Sequence, residues 1–317
     1  MPNAAPDYEL GLTPSGAPRF IFDSTGPDWE QWLLFTSDVH FDSQHCQRDA
    51  LFSVLDQAVA RDALWIDLGD FFDAMQSKSD KRRELDGIRP EYLYPSDENK
   101  RMGLWQRIVS DCEEKLQGYA DRLIMTSLGN HETAALRWSD INLSQELANI
   151  ARRSGSRQCH NFGYTGYAHV ACRIFTRNQN RPSTSFSMFL THGTGGSSPV
   201  TLGASGGQRR MVYAPDARLY ISGHTHQETM MTRSAVRSRP PSFVERIEER
   251  HDVVIPGFKA EFSVEKGPRK GWALERGFAP TAIGGLWVRL YLKSAPAKNL
   301  PNKGNKQLFY ELSWAKP

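Results

Sequence analysis

The sequence predicts an α/β fold in which two mixed β-sheets pack together and are flanked by helices. Five apolar runs of strand length each end in a short polar patch, and helix-like segments lie between them, a pattern typical of strands covered on both faces. The runs lie at residues 32–36, 64–68, 123–128, 186–191 and 218–222. A further run at 167–175, followed by the one at 186–190, predicts adjacent strands of a second sheet.

Helices are predicted between these strands from apolar residues at helical spacing. Residues 46–60 carry Leu51, Val54, Leu55 and Ala58 on one stripe. A long helix over 97–121 and a shorter one over 144–155 are expected to cover a sheet.

The polar patches carry side chains of the types that bind transition metals in proteins. Strand ends meet at one edge of an open α/β sheet, where ligands bind, so these side chains are expected to lie close together. Imidazole nitrogen and carboxylate oxygen suit Zn, Fe, Ni and Mn, whereas Mg and Ca prefer oxygen alone. These eight side chains are too many for one tetrahedral ion, and seven of them as ligands would fill most of the coordination of two ions held roughly 3.5–4 Å apart. The side chains are Asp38, His40, Asp70, Asn130, His131, His192, His224 and His226.

Together these patches resemble the calcineurin-like metallophosphoesterase family. The motifs are Asp38-x-His40, Gly69-Asp70, Gly129-Asn130-His131-Glu132, His192 and Gly223-His224-x-His226, in family order over residues 32–227. One short motif would be weak evidence, but five in order, each after a predicted strand, are specific. One departure is Phe41-Asp42 after His40, where many family members have a glycine, and it bears on the adjacent pocket wall.

The resemblance implies the αββα architecture, a pair of divalent ions and a role for each residue. Asp38, His40 and His226 would bind one ion, Asn130, His192 and His224 the other, and Asp70 would bridge both. His131 corresponds to the family's non-ligand histidine, which protonates the leaving oxygen after attack by metal-activated hydroxide. Mn²⁺ is the first expectation for the metal, with Fe, Zn and Ni as alternatives.

The candidate ligands run from Asp38 to His226, so this span must be one folded unit although 317 residues could form two domains. Residues 1–28, rich in Pro, Gly, Asp and Ser, predict an N-terminal arm, and 29–317 a single domain. Within it, 74–99 reads as an insertion beside the active edge, and runs beyond residue 228 predict strands that complete the second sheet.

Composition narrows the setting. The net charge of +3 and pI near 8.6 permit a nucleic-acid partner without requiring one. There is no run of 18 apolar residues and no signal-peptide pattern at the N-terminus, so no membrane association is expected. The four cysteines show neither metal-site spacing nor disulfide density, which favours a reduced, cytoplasmic protein. The oligomeric state is left open.

Two substrate classes are carried forward. The stretch from Gly69 to Asp73 resembles the nuclease branch of the family, and the insertion mixes cations with Tyr92 and Tyr94, so a phosphodiesterase acting on nucleic acid or nucleotides is the first hypothesis. The stretch from Gly129 to Glu132 also resembles the phosphoprotein phosphatase branch, which makes a phosphomonoesterase the second. A non-enzymatic scaffold would require lost ligands, and all seven positions are intact.

Several residues are candidates for contact with substrate or ligand. Arg137, Arg209 and Arg210 could each bind a substrate phosphate. The glycine-rich stretch at 193–207 could cradle a phosphate with backbone N–H groups or be a flexible connection, and its order excludes a P-loop. Asp73 could support a ligand histidine or cap a turn.

Overall fold

A computed structural model describes residues 5–26, 28–73, 80, 87–156, 158–174, 183–195, 204–238, 245–260, 280–294 and 306–317. In chain order its strands are β1 (Glu9–Leu12), β2 (Pro18–Asp23), β3 (Glu30–Thr36), β4 (Leu64–Asp67), β5 (Leu123–Thr126), β6 (His160–Asn161), β7 (Thr165–Arg173), β8 (Ser183–Thr191), β9 (Leu219–Ser222), β10 (Thr229–Ser238), β11 (Glu245–Val254), β12 (Gly285–Ser294) and β13 (Lys306–Ala315). Its α-helices are α1 (Arg48–Ala60), α2 (Pro90–Leu93), α3 (Leu104–Lys115), α4 (Asn130–Ser139), α5 (Leu143–Arg153) and α6 (Ala204–Tyr213).

The strands form two sheets, which confirms the predicted fold class. One sheet has the order β13-β12-β3-β4-β5-β6 and the other β1-β2-β7-β8-β9-β11-β10. Both are mixed: β3 to β6 run parallel while β12 is antiparallel to β3, and β8, β9 and β11 run parallel while β7 is antiparallel to β8. The five strands that precede the polar patches are therefore divided, three in the first sheet and two in the second.

This division corrects the expectation that the patches share one sheet edge. They meet where the carboxyl ends of β3, β4 and β5 face those of β8 and β9, across the interface between the two sheets. Every residue of β4, β5 and β9 is buried, as expected for strands of a sheet that is covered on both faces.

Three apolar clusters hold the layers together. The first lies between the sheets and includes Phe35, Ile66, Leu190 and Ile221, all fully buried. The second packs α1, α3 and α5 on the outer face of the six-stranded sheet, around Trp65. The third sets α6 against β8 and β9. Burial on both sides of each sheet supplies the main driving force for this arrangement.

Both chain ends contribute strands to the sheets, in part as predicted and in part not. Residues 9–23, predicted as part of an arm, form β1 and β2, and β2 pairs with β7. Of the C-terminal strands, β10 and β11 extend the seven-stranded sheet, but β12 and β13 extend the other one. Leu286, Val288 and Leu290 of β12, which pairs with β3, pack into the cluster between the sheets.

The helix predicted over 97–121 is shorter than expected. A 3₁₀ turn occupies Asp97–Asn99, and α3 begins only after Gly103, whose N–H donates to Oε1 of Gln106 at 2.9 Å. The other end is closed at Leu116, ahead of Gly118 with its φ of +92°. In the described part of the chain, no helix combines the length and apolarity needed to cross a membrane.

Candidate metal centre

The structure brings all seven candidate ligands together at the junction between the sheets. Asp38 and His40 follow β3, Asp70 follows β4, Asn130 opens α4 after β5, His192 follows β8, and His224 and His226 follow β9. Nε2 of His192 lies 3.1 Å from Oδ2 of Asp70 and 3.3 Å from Oδ1 of Asn130. Nε2 of His226 lies 3.3 Å from Oδ1 of Asp38. Residues separated by up to 188 positions in the chain therefore share one site.

Potential ligand atoms form overlapping groups in which all lie within 4.8 Å of one another. One group is Asp38, His40 and His226, and another is Asp70, His192 and His224. Each of these two groups falls within one of the two ligand sets that the family resemblance implies, and the bridging of both ions by Asp70 stays a prediction. A third group joins His40, Asp70 and His131, so His131 also lies close enough to compete for a metal.

Two buried polar atoms indicate that the site is built for a cation. Oδ1 of Asp38 and Nε2 of His40 are buried, and among the described residues neither makes a contact with hydrogen-bond geometry, although Nε2 of His226 lies 3.3 Å from Oδ1 of Asp38. Buried polar atoms are nearly always paired, and a divalent ion would satisfy both of these at once. The donor set of imidazole nitrogen, carboxylate oxygen and one amide oxygen fits Mn, Fe, Zn or Ni.

Hydrogen bonds on the far side of two imidazole rings orient them toward this centre. Nδ1 of His40 lies 2.7 Å from Oδ1 of Asp73, and Nδ1 of His192 lies 3.0 Å from the carbonyl oxygen of Leu68. Both acceptors hold a proton on Nδ1, so Nε2 is the nitrogen that each ring can offer to an ion in its neutral form. Of its two predicted alternatives, Asp73 therefore takes the role of a support for a ligand histidine.

The backbone at five of the seven positions is left-handed. The φ angles are +53° at Asp38, +51° at His40, +51° at Asp70, +70° at His224 and +53° at His226. Residues with a Cβ rarely adopt this conformation, and its strain persists only where the surroundings fix it. Asp38 and His40 thus share a site because tight turns aim them there, and not because they alternate along an extended strand as the sequence suggested.

Glu132 holds two of the ligand loops together, a role that the sequence reasoning missed. Its Oε2 accepts hydrogen bonds from the N–H groups of Asp70 and Gly129, both at 2.9 Å, and its Oε1 accepts one from Phe72 at 3.0 Å. The side chain is buried, and burial raises its pKa to about 7. An available signal was a Glu at the third position of a helix, half of a capping box.

His131 lies at the edge of the centre with its two ring nitrogens in different surroundings. Nδ1 is 2.8 Å from the carbonyl oxygen of Asp73, which accepts its proton, and Nε2 is 3.8 Å from Oδ2 of Asp70. Burial disfavours the charged ring, but the carboxylates of Asp70 and Asp73 outweigh it and raise the pKa of His131 above its usual value. Nε2 is therefore the nitrogen that faces the reaction space.

The predicted phosphate-binding arginines lie in different environments. Arg137 on α4 and Arg209 on α6 are exposed. Arg210 is buried, and its Nη2 and Nε lie 2.7 and 3.0 Å from the two carboxylate oxygens of Asp252 on β11. The expectation for Arg210 is thus corrected, because its guanidinium group is committed to a buried ion pair.

Much of the insertion and of the glycine-rich stretch, both predicted as candidate binding segments, lies outside the described residues. These parts are 74–79 and 81–86, with the cations Lys78, Lys81, Arg82 and Arg83, and residues 196–203 of the glycine-rich stretch. In the described part of the insertion, Arg89 donates a hydrogen bond to the carbonyl oxygen of Cys46, and the Tyr92 hydroxyl contacts Arg48 and Asp111. Arg89 and Tyr92 therefore stabilise the fold through contacts within the protein. Phe41 is fully buried and stacks with Phe71, so it is part of the core and not of a pocket wall.

Comparison with known proteins agrees with this geometry. The model of the calcineurin-like phosphoesterase family matches residues 32–228, and the chain therefore belongs to this family of hydrolases acting on phosphoric esters. No curated protein matches the chain.

Two solved structures show distant similarity. One is a presumed 5′-nucleotidase from Staphylococcus aureus, with 12% identity, a TM-score of 0.40 and coverage of 90% of this chain and 54% of that one. The chain thus spans about half the length of that protein. The other is a conserved Streptococcus pneumoniae protein described as a predicted phosphoesterase, with 10% identity, a TM-score of 0.28 and coverage of 89% and 99%. Neither similarity is close enough to indicate a substrate.

Gly129→Ala is expected to reduce the metal content of the purified protein from two ions per chain to one or none. A Cβ at this position would lie 2.0 Å from Oδ1 and 2.4 Å from the backbone nitrogen of Asp70, so the added methyl group must displace that carboxylate. Gly26→Ala is the control, since its methyl group would meet nothing within 4 Å. Elemental analysis measures the effect, and two ions in the Gly129 variant would contradict it.

Metal binding is expected to release protons near neutral pH. In the metal-free protein burial opposes charge on His192, but Asp70 and Asp38 outweigh it and raise its pKa to about 10. Ligation needs the neutral ring, so an ion must expel this proton, and affinity should rise with pH up to about 10. His40 adds no proton, because burial lowers its pKa to about 4.

Calorimetric titration of Mn²⁺ at pH 7.5, in buffers of different ionisation enthalpy, measures this release. His169→Gln, a change on β7 outside the candidate ligand set, should leave it unchanged. A binding enthalpy that does not vary with the buffer would contradict the expected charge on His192.

Proposed function

We propose that this protein is a phosphodiesterase that uses two divalent ions, Mn²⁺ in the first instance, to hydrolyse nucleic acid or nucleotides. The observation that carries the proposal is that two three-residue ligand groups lie side by side, linked by the third group, in which Asp70 joins His40 and His131. Nε2 of His131 lies 3.8 Å from Oδ2 of Asp70. The Gly69-to-Asp73 motif, which resembles the nuclease branch, and the mildly basic charge of +3 support the diester class.

Each side chain has a part in holding the ions. Asp38, His40 and His226 would hold one, and Asn130, His192 and His224 the other, with Asp70 between them. When bound, the ions would polarise the phosphoryl oxygens and lower the pKa of a water molecule so that hydroxide forms near neutral pH. Asn130 contributes a neutral oxygen, which completes the ligand set without repelling an incoming phosphate.

In this proposal His131 supplies the proton that the leaving oxygen needs. Its Nδ1 donates to the carbonyl oxygen of Asp73, so Nε2 is the nitrogen that can give a proton to the leaving oxygen. The carboxylates of Asp70 and Asp73 raise the pKa of His131 above its usual value, which favours the protonated ring. A positioned acid whose pKa lies near the working pH is the efficient choice for this step. No covalent intermediate with the protein is required.

A reduced, cytoplasmic setting belongs to the same proposal. All four cysteines are buried and form no disulfide bond, and they are Cys46, Cys112, Cys159 and Cys172. Burial raises the pKa of both Cys46 and Cys159 to about 12, so these thiols are unreactive at neutral pH.

A direct assay separates the diesterase from the phosphomonoesterase alternative, which the Gly129-to-Glu132 motif favours. With Mn²⁺ supplied, we expect bis-para-nitrophenyl phosphate to be hydrolysed faster than para-nitrophenyl phosphate. Single-stranded DNA, duplex DNA, RNA, cyclic nucleotides and phosphopeptides then define the substrate class. A strong monoester preference would end the diesterase proposal, and the absence of bound metal would support a scaffold.

His131→Ala should lower kcat by about 10²- to 10⁴-fold while the protein keeps two ions per chain, as expected for loss of a general acid. Turnover of the diester and elemental analysis of the same preparation measure the two effects. His169→Ala is the matched control. Loss of an ion from the His131 variant would show that this histidine is a ligand, as its membership of the third group allows.

A further inference from the structure

The segment 256–260, which follows β11, lies against the loop that carries Asp38 and His40. It lies beyond residue 228, where the family match ends. Three backbone hydrogen bonds attach it, from Phe258 N to Asp38 O (2.9 Å), from Gln47 N to Phe258 O (2.8 Å) and from Ala260 N to His45 O (3.0 Å). Lys259 and Cys46 also form an isolated antiparallel bridge. The C-terminal part of the chain thus contributes to the wall of the metal centre.

Lys259 directs its side chain from this segment to Asp73. The ammonium nitrogen lies 3.1 Å from Oδ1 and 3.3 Å from Oδ2 of that carboxylate. The same Oδ1 lies 2.7 Å from Nδ1 of His40, and the backbone carbonyl of Asp73 accepts the proton of His131 Nδ1. One acidic residue therefore supports a candidate ligand and the candidate acid, and a lysine from outside the family region holds it.

We propose that Lys259 is a positioning residue of the metal centre, whose ammonium group fixes the Asp73 carboxylate in the orientation that faces His40. The fixed carboxylate keeps the His40 proton on Nδ1 and its Nε2 lone pair toward the ion. Supporting contacts of this kind set both ligand orientation and metal affinity.

The charges around Asp73 show why an ammonium group is needed there. Asp42, fully buried, accepts a hydrogen bond from the backbone nitrogen of Asp73 at 2.6 Å, so two carboxyl groups lie close together in the interior. An isolated buried charge is costly, so without a cation beside it the Asp73 carboxylate would turn away from His40. Lys259 supplies a positive charge next to Asp73 and forms an ion pair with its carboxylate.

The ammonium group is not what attaches the segment to the domain. The three hydrogen bonds of 256–260 use backbone atoms alone, so they persist when the charge is removed. Lys259→Met, which keeps most of the aliphatic chain, should therefore leave the fold intact while removing the ammonium group from the Asp73 carboxylate.

Two measurements on the full chain, made without substrate, test this inference. Calorimetric titration with Mn²⁺ should show binding about 10- to 100-fold weaker in Lys259→Met, the loss typical of removing such a support. Lys259→Arg should recover part of the affinity. Nuclear magnetic resonance of ¹⁵N-histidine in the metal-free protein should show the His40 proton on Nδ1 in the wild type and a mixture of tautomers in Lys259→Met.

Lys115→Met, at the exposed end of α3, is the control and should match the wild type in both measurements. Wild-type Mn²⁺ affinity or an unchanged His40 tautomer in Lys259→Met would overturn the inference. In a diester assay the variant should lower kcat more than it raises KM, and the reverse result would mean that Lys259 contacts substrate instead.

The activity arm of this test rests on the proposed function, but the titration and the tautomer measurement do not. An inactive wild-type protein that binds two ions would end the phosphodiesterase proposal and leave the role of Lys259 standing.

Discussion

Two buried carboxylates at the junction of the sheets dictate how the rest of the site is built. Asp38 and Asp70 are almost completely removed from solvent, and such charges are tolerated only when surrounding groups compensate them. The backbone nitrogen of His224 donates to Asp38 at 2.7 Å, and that of His131 donates to Asp70 at 2.9 Å. Neighbouring histidines outweigh the effect of burial and hold both pKa values below their ordinary range. The remaining lone pairs are those that a divalent ion would take.

The rest of the site is arranged to keep these charges in place. Glu132 joins the loops after β4 and β5 through three backbone N–H groups, and the left-handed residues turn the chain sharply at each strand end. Strained turns of this kind need support from the surrounding structure, which the packed sheets on either side provide. A rigid framework of ligands lowers the reorganisation that metal binding requires.

Residues beyond the family region complete this framework. Segment 256–260 is bonded to the Asp38 loop, and β12 packs beside β3, so the C-terminal part supports the centre both at its wall and through the sheet below it. The contact between Lys259 and Asp73 could not be predicted from the sequence, because Lys259 belongs to no motif and Asp73 lies 186 positions away. Only the folded chain shows that the two side chains meet.

Local sequence patterns were enough to predict the strands that end at the site and the kinds of side chain that lie there. Apolar runs predicted β3, β4, β5, β8 and β9. The order of the polar motifs identified the family and the residues that lie together at one site in the structure. Tertiary structure decided what local patterns cannot encode, because pairing between sheets and side-chain contacts depend on residues far apart in the chain. It divided the five strands between two sheets, placed Arg210 in an ion pair with Asp252 and gave Glu132 and Lys259 their partners.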